Sequence, residues 1–442
     1  MGGTLMHSDQ TMRNSREPYL DYLARCDQAF RPFAPIDLPD FFKGRQADVE
    51  LLRSELKTPG RQVAIYGERG VGKTSLAVLA YFFAKFNDET TYLARCEEDS
   101  NYDTIFEQLL LEAGLGFLPD SIETETARKA GLRVGPASLS GGKATRARER
   151  AIPSGGRIGP SLLLKQFAAD EGLLIIDEYD RVRDRSTHTR LAETLKHFSD
   201  ASSRTKIIVV GVAETLSDLV GEHDSLTRCL AQIPLERMCD GELAEIVSTG
   251  EERVGAAFQE GVRRKVILLS DGFPFYVHLL CKYAAEEAGK VLLDNPHAKV
   301  VVSEPEHRKA LKRAIKTGEA TLRDAYQAAV ITVKRKTEMF KFVLWGLAYS
   351  QSREVQVQEI AENIGLLTGD KPNIESLSNY LGRLIKPEKK EVLVRVRQGY
   401  YKFANPLMRA YVRLILEEHN IGLDGQLRFP WMRDLRARSN SS

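Results

Sequence analysis

The 442-residue sequence has no apolar run near the roughly 18–20 residues that cross a bilayer as a helix, which excludes a helical membrane protein. Its first ten residues, MGGTLMHSDQ, lack the apolar core of a secretion signal, and position 6 is Met where a myristoylation signal has Ser or Thr. A cytoplasmic chain with no membrane partner is therefore expected. Cysteine is scarce and unpatterned. Cys26, Cys96, Cys229, Cys239 and Cys281 are odd in number and no two stand at CxxC spacing, which argues against both a disulfide framework and a zinc ribbon. The eight histidines form no HExxH-like cluster, so buried or incidental histidine is the expectation. Neither sign of charge dominates. With 63 Lys+Arg against 61 Asp+Glu the net charge is +2, which excludes a generally basic nucleic-acid coat protein and an acidic disordered tail. No repeat period is found.

What remains is the balance of a soluble globular protein, 43% hydrophobic and 28% charged, long enough for two to four domains by the usual ~100–200 residues each. Residues 1–40 read as an irregular extension, with Pro32, Pro35 and Pro39 breaking any long helix. A helix is expected over 46–56, a strand over 63–66, a glycine loop, then an apolar helix over 75–86. That order is the first half of a βαβ unit. Continuous apolar runs over 173–176 and 207–210 predict two more buried strands of a parallel sheet. From Cys239 onward strand signals fade, and helical patterns occupy 242–247, 262–269, 274–288 and 306–330. The last part has another rhythm: helices over 338–348, 357–364 and 374–385, then two alternating segments, 392–396 and 400–404, separated by RQG. This pattern predicts a winged-helix domain, with a generic helical bundle carrying a hairpin as the plainer alternative. One stretch stands apart. Residues 128–157 hold eight basic residues against Glu149 alone, a net charge of +7 that leaves −5 for the rest, and are too poor in apolar groups to build a core.

Gly67-Glu68-Arg69-Gly70-Val71-Gly72-Lys73-Thr74 fits G-x-x-x-x-G-K-[ST] in full. Such glycines let consecutive backbone N–H groups turn inward around phosphate oxygens, at the positive N-terminus of the following helix, which continues into Ser75. Lys73 is expected to reach the β- and γ-phosphates of ATP, and Thr74 to ligate Mg2+. The partner acids follow in LLIIDEYD: Asp177 for the metal and Glu178 to polarise the attacking water. Asp180 is placed to hold a nearby backbone or Arg181. Asp177 lies 104 residues after Lys73, and the basic stretch within that interval reads as an insertion at about 120–160.

FFKGR (41–45), GERGVGKTSLA (67–77) and LLIIDEYD (173–180), in that order, resemble the AAA+/STAND group of P-loop ATPases, with the nearest likeness to origin-recognition-like and archaeal-type ATPases of prokaryotes. The resemblance covers roughly residues 38–415. It implies an α/β P-loop NTPase parallel-sheet core over 41–236, an α-helical lid over 237–333, a C-terminal winged-helix domain over 334–418 and a tail over 419–442. It places Gly44 and Arg45 near the adenine. It makes Glu214 or Thr215 the counterpart of the polar residue that orients water at the end of the third strand. SLTRCLAQIPL (225–235) looks like the segment carrying an arginine finger, with Arg228 in that role. SDGFPFYVHLL (270–280) is similar to the G-x-P motif of STAND proteins, whose Pro, here Pro274, packs beside the base, while the arginine that AAA+ proteins carry in a G-x-x-R setting there has no counterpart.

The expected function is an ATP-binding and ATP-hydrolysing regulatory switch. Nucleotide would control its shape or self-association, with ATP and ADP as ligands and an effector protein as a further partner, in settings such as bacterial stress or antiviral defence. The alternative is a DNA-binding ATPase of the initiator or transposition-regulator kind, touching DNA through residues 128–157 and through Asn379, Arg383, Lys386, Lys389, Lys390, Arg395, Arg397 and Lys402 of the winged helix. A metabolic kinase is the weakest reading, because nothing after Leu235 resembles an acceptor pocket.

Overall fold

The computed structural model describes residues 4–36, 39–80, 82, 90–115, 158–167, 172–220, 226–331 and 338–423. The basic stretch 128–157 lies outside them, as does the end of the apolar helix expected over 75–86, of which Lys73–Val78 is described. Five strands form one sheet: β1 (Gln62–Gly67), β2 (Thr91–Arg95), β3 (Leu173–Asp177), β4 (Lys206–Val212) and β5 (Leu230–Pro234). They run in the order β2-β3-β4-β1-β5, and every pairing is parallel. The three expected strands are its centre. Their β-branched and leucine runs are buried on both faces, and alternate residues serve opposite layers, as a two-residue period requires. Val63, Ile65, Ile208 and Val210 join one core, while Ala64, Tyr66, Ile207 and Val209 join the other. The α/β parallel-sheet fold is the one expected.

The first forty residues overturn the irregular reading. Thr4–Ala29 is a single helix with Pro18 inside it, and the three prolines named above fall after its end rather than within it. Its last turns bury Tyr22 and Cys26, Phe30 just after its end is buried with them, and the Tyr22 hydroxyl donates to the Ala285 carbonyl at 3.1 Å. The segment is therefore part of the helical region that follows the sheet. That region comprises Asp240–Val254, Glu260–Ser270, Pro274–Gly289, Glu304–Thr317 and Ala320–Val330. It also holds two short parallel strands that the fading strand signal hides, β6 (Ala256–Phe258) and β7 (Val300–Val302). Three residues are too few for a periodic pattern to emerge.

The C-terminal region packs helices Met339–Tyr349, Val357–Thr368 and Ile374–Leu384 beside a small antiparallel sheet of β8 (Val355–Gln356), β10 (Tyr400–Phe403) and β9 (Leu393–Arg397). Both sequence readings of this part are compatible with that layout. A last helix, Leu407–Glu418, returns to the core. Lys389 is not free for a nucleic-acid phosphate. It is buried and donates to the carbonyls of Ala328, Ala329 and Ile331, satisfying the open end of helix Ala320–Val330. Lys402 is engaged too, in an ion pair with Glu214 at 2.9 Å. Asn379, Arg383, Lys386, Lys390, Arg395 and Arg397 are exposed. Among the described residues no helix is long and apolar enough to cross a membrane.

Candidate nucleotide site

β1 lies between β4 and β5, so the loop after it opens at the carboxyl end of the sheet, where neighbouring connections diverge and leave a crevice. The glycine loop fills this position. Gly67 has φ +148°, and a Cβ there would stand 2.2 Å from the Leu235 carbonyl oxygen, so only glycine lets β1 turn beside the continuation of β5. Gly72 caps helix Lys73–Val78. Lys73 lies at its first position, with Nζ donating to the carbonyls of Gly67 (3.1 Å) and Glu68 (2.8 Å). Burial pushes the ammonium down to about 8, against the opposing pull of Asp180 and Asp177.

Asp177 ends β3 directly across from this helix. Its Oδ2 accepts from the Thr74 hydroxyl at 3.0 Å and its Oδ1 from the Glu178 N–H at 2.9 Å. Burial raises its pKa and these two donors partly offset the rise. A threonine hydroxyl beside a carboxylate is a hard-oxygen pair. That donor set fits Mg2+, which uses one or two protein oxygens and completes its shell with phosphate and water. No cluster of three or more His, Cys, Asp or Glu suited to a metal is found among the described residues, so the protein alone offers no closed metal cage there. Glu178 stands in the left-handed region, φ +57°, with its carboxylate half-exposed and paired to Arg181 at 3.0 Å. Asp180 holds the end of β4, accepting from the Val212 N–H at 2.8 Å.

A cavity of about 800 Å3 joins these groups. Its lining includes Arg69, Gly70, Val71, Gly72, Lys73, Thr74, Ser75, Asp177 and Glu178 of the phosphate loop and strand end, together with Arg45, Met238, Pro274 and Phe275. Arg45 is buried and grips the loop from behind, donating to the Val71 carbonyl at 3.0 Å and the Glu236 carbonyl at 2.6 Å. Gly44 sits next to it, its N–H donating to Glu245. The Ser75 hydroxyl accepts from the Ile36 N–H, drawing the stretch before Gly44 over the cavity. Glu68 and Arg69 both turn away to other elements, Glu68 to Arg237 (2.5 Å) and Arg69 to Glu319 (2.8 Å).

Three expected residues stand elsewhere. Arg228 is exposed just before the start of β5, at the opposite end of this parallel strand from the glycine loop, so it does not reach its own cavity. Glu214 is highly exposed and paired with Lys402. Thr215 spends its hydroxyl on Asp218, at 2.7 Å, capping helix Leu216–Val220. Conversely, the cavity contains residues that no sequence motif marks: Arg181, His278, Glu319, Asn405 and Leu407. The last two arrive from more than three hundred residues away. A Cβ on Gly70 would meet the Leu407 side chain at 2.9 Å, and the Tyr276 hydroxyl donates to the Leu407 carbonyl at 3.0 Å.

Residues 42–210 match the family described as AAA ATPase domain. No curated protein matches the sequence. Among solved structures, the chain is similar to the Walker-type ATPase PABY2304 of Pyrococcus abyssi (16% identity, 86% of this chain and 99% of that one, TM-score 0.46). It is also similar to the Thermotoga maritima RuvB Holliday junction branch migration motor (14%, 83% and 95%, 0.42) and to the Aeropyrum pernix ORC1 protein in complex with DNA (16%, 86% and 95%, 0.39). A complete glycine loop at the carboxyl end of a parallel sheet, facing a strand-end acid, within a segment that matches this family, leads to one conclusion: residues 42–210 are an AAA ATPase domain, and the chain is a P-loop ATPase.

Proposed function

We propose that this ATPase is a nucleotide-controlled switch whose C-terminal region reports the state of the phosphate loop. One observation carries the reading: the start of helix Leu407–Glu418 rests on Gly70 and borders the cavity itself. A change in the loop on nucleotide binding is then transmitted to the C-terminal region by contact. Lys402–Glu214 ties the C-terminal sheet to the segment after β4, and Arg69–Glu319 ties the loop to the helical region. We take this arrangement, with Pro274 at the base end, as STAND-like behaviour in a cytoplasmic protein. It suits an ATP-triggered self-association that recruits an effector in bacterial stress or antiviral defence. Static light scattering after size exclusion, in ADP and in a non-hydrolysable ATP analogue, tests it. A different mass or elution volume in the two nucleotides is the expected result, and identical profiles would sink the switch.

In this reading the loop amides of 67–75 and Lys73 bind the triphosphate, Gly44, Arg45 and Pro274 frame the base, and Thr74 with Asp177 holds Mg2+. When bound, the cation neutralises phosphate charge. Glu178 accepts a proton from the water that attacks the γ-phosphorus as the bond to ADP breaks. Its exposed pair with Arg181 is worth only about 0–1 kcal/mol, so the carboxylate turns to the cavity at little cost. Arg228, remote from its own cavity, serves a neighbouring copy, where its charge stabilises the transition state. Glu178→Gln is expected to lower turnover about 10²–10⁴-fold, the usual contribution of a general base, while leaving ATP affinity within about threefold. A Gln variant that turns ATP over at the wild-type rate would remove Glu178 from this role.

A second reading, DNA binding, is favoured by the exposed Asn379, Arg383, Lys386, Lys390, Arg395 and Arg397. The same protein, assayed for turnover with and without duplex DNA at low salt, separates the two readings, because phosphate contacts weaken steeply with salt.

A further inference from the structure

We propose that His278 contacts the nucleobase, its imidazole hydrogen-bonding a ring-edge nitrogen or amino group of a purine lodged against the apolar lining of the cavity. The inference rests on the reading of this cavity as the nucleotide site. The cavity is also lined by the apolar side chains of Pro32, Phe42, Met238, Ile246 and Phe275. Such a surface suits the flat faces of a purine but offers nothing to its polar edge, and ligand sites of this kind fix orientation with a few well-placed polar groups. His278 is positioned to be one. Helix Pro274–Gly289 begins at Pro274, and His278, four residues on, lies one turn along the same face. Both residues border the cavity.

His278 is 4% exposed, and neither Nδ1 nor Nε2 has a hydrogen-bond partner among the described residues. Buried polar atoms are nearly always paired, so an imidazole left open beside a cavity points to a ligand. The Phe30 ring packs edge-on against it at 6.2 Å and supplies no partner. Burial lowers the imidazole pKa to about 4, so near neutral pH the ring is uncharged and carries one donor and one acceptor. A purine edge presents the complementary pair. Because both nitrogens are sealed from water while the residue borders the cavity, the ring has to turn as the base enters. His307 gives the contrast: it is also fully buried with open nitrogens, but it is not part of this cavity wall.

The test compares ATP with inorganic tripolyphosphate, which shares the phosphate chain and lacks the base. His278→Leu is expected to weaken ATP binding about tenfold, equal to 1.4 kcal/mol, and to leave tripolyphosphate binding unchanged. His278→Gln, which keeps a donor and an acceptor, should stay within about threefold of wild type, and His307→Leu should match wild type. In wild-type protein labelled with 15N-histidine, the His278 ring signals, identified by their loss in His278→Gln, should move on adding ATP and not on adding tripolyphosphate. This readout stands even if the Leu variant fails to fold. Unchanged ATP affinity in His278→Leu, equal weakening of both ligands, or ring signals indifferent to ATP would each overturn the proposal. Lys73→Ala distinguishes the two levels. If it leaves ATP binding intact, the nucleotide-site reading falls and this proposal with it. If it abolishes binding while His278→Leu does not matter, only the role of His278 falls.

Discussion

Replacing Lys73 with Ala is expected to weaken ATP binding by about 10²–10⁴-fold. A hydrogen bond to a charged group contributes about 1.5–3 kcal/mol, and Lys73 is placed to make two to the terminal phosphates, about 3–6 kcal/mol in all. The substitution removes no core contact of comparable value, because the ammonium here bonds only the Gly67 and Glu68 carbonyls. Those carbonyls turn back to solvent or to neighbouring amides, so the folded state survives. Isothermal titration with ATP gives the loss directly, and a melting temperature within a few degrees of wild type shows that folding is not its cause. The same residue predicts a pH dependence. In the free protein burial holds the Lys73 pKa near 8, and bound phosphate restores it upward, so only the charged form binds well. Affinity is then full below the free-protein pKa and falls as pH rises through about 8, toward tenfold per unit. Affinity that is flat between neutral and mildly alkaline pH would remove the ammonium from the phosphate contact.

The parts of the site legible in the sequence are those where local geometry and chemistry coincide. The glycine loop needs its glycines for the turn and its Lys-Thr pair for phosphate, so one octapeptide carries both signals. β1, β3 and β4 were legible because burial on both faces demands unbroken apolar runs. β2 and β5 were not. Thr91–Arg95 and Leu230–Pro234 are edge strands whose polar positions interrupt the run, and the second lies inside a segment read for its arginine. Helix Thr4–Ala29 was hidden by its polar composition and by prolines that in fact follow it. Long-range contact was the least legible. Arg409 and Arg413 look like the solvent face of an amphipathic helix, yet both are buried. Glu214 and Lys402, 188 residues apart, meet only because the small C-terminal sheet is brought over the end of β4. His278 illustrates the same limit: a histidine on an apolar helix reads as incidental until the cavity beside it is known.

Asp271→Asn is expected to destabilise the protein by about 3–5 kcal/mol, the cost of removing one partner from a buried ion pair. Asp271 closes helix Glu260–Ser270 in the left-handed region, φ +53°, and Asn tolerates that backbone, so the substitution tests charge rather than strain. The carboxylate is 9% exposed and faces three buried guanidinium groups: Arg237 at 2.5 Å, Arg413 at 3.0 Å and Arg409 at 3.7 Å. Arg237 reaches on to Glu68 of the phosphate loop, and Arg409 and Arg413 lie on the helix that rests against Gly70. One carboxylate therefore neutralises three charges and ties the phosphate loop, the helical region and the C-terminal region together. Removing its charge leaves Glu68 as the remaining carboxylate of the group, itself partly exposed and bonded to Arg237 alone among the three. At about 2–4 °C per kcal/mol for a domain of 150–250 residues, the melting temperature should fall by roughly 6–20 °C. A double-mutant cycle identifies the cause. On an Arg413→Met background, where one of the three charges is already gone, Asp271→Asn should cost clearly less than it does alone. Because the group also holds the C-terminal helix on the loop, the Asn variant should release ADP faster than wild type at a temperature where both are folded. A wild-type melting temperature would show that the three arginines do not depend on Asp271. A lowered one with unchanged ADP release would separate the stability of this group from the coupling between loop and C-terminal region.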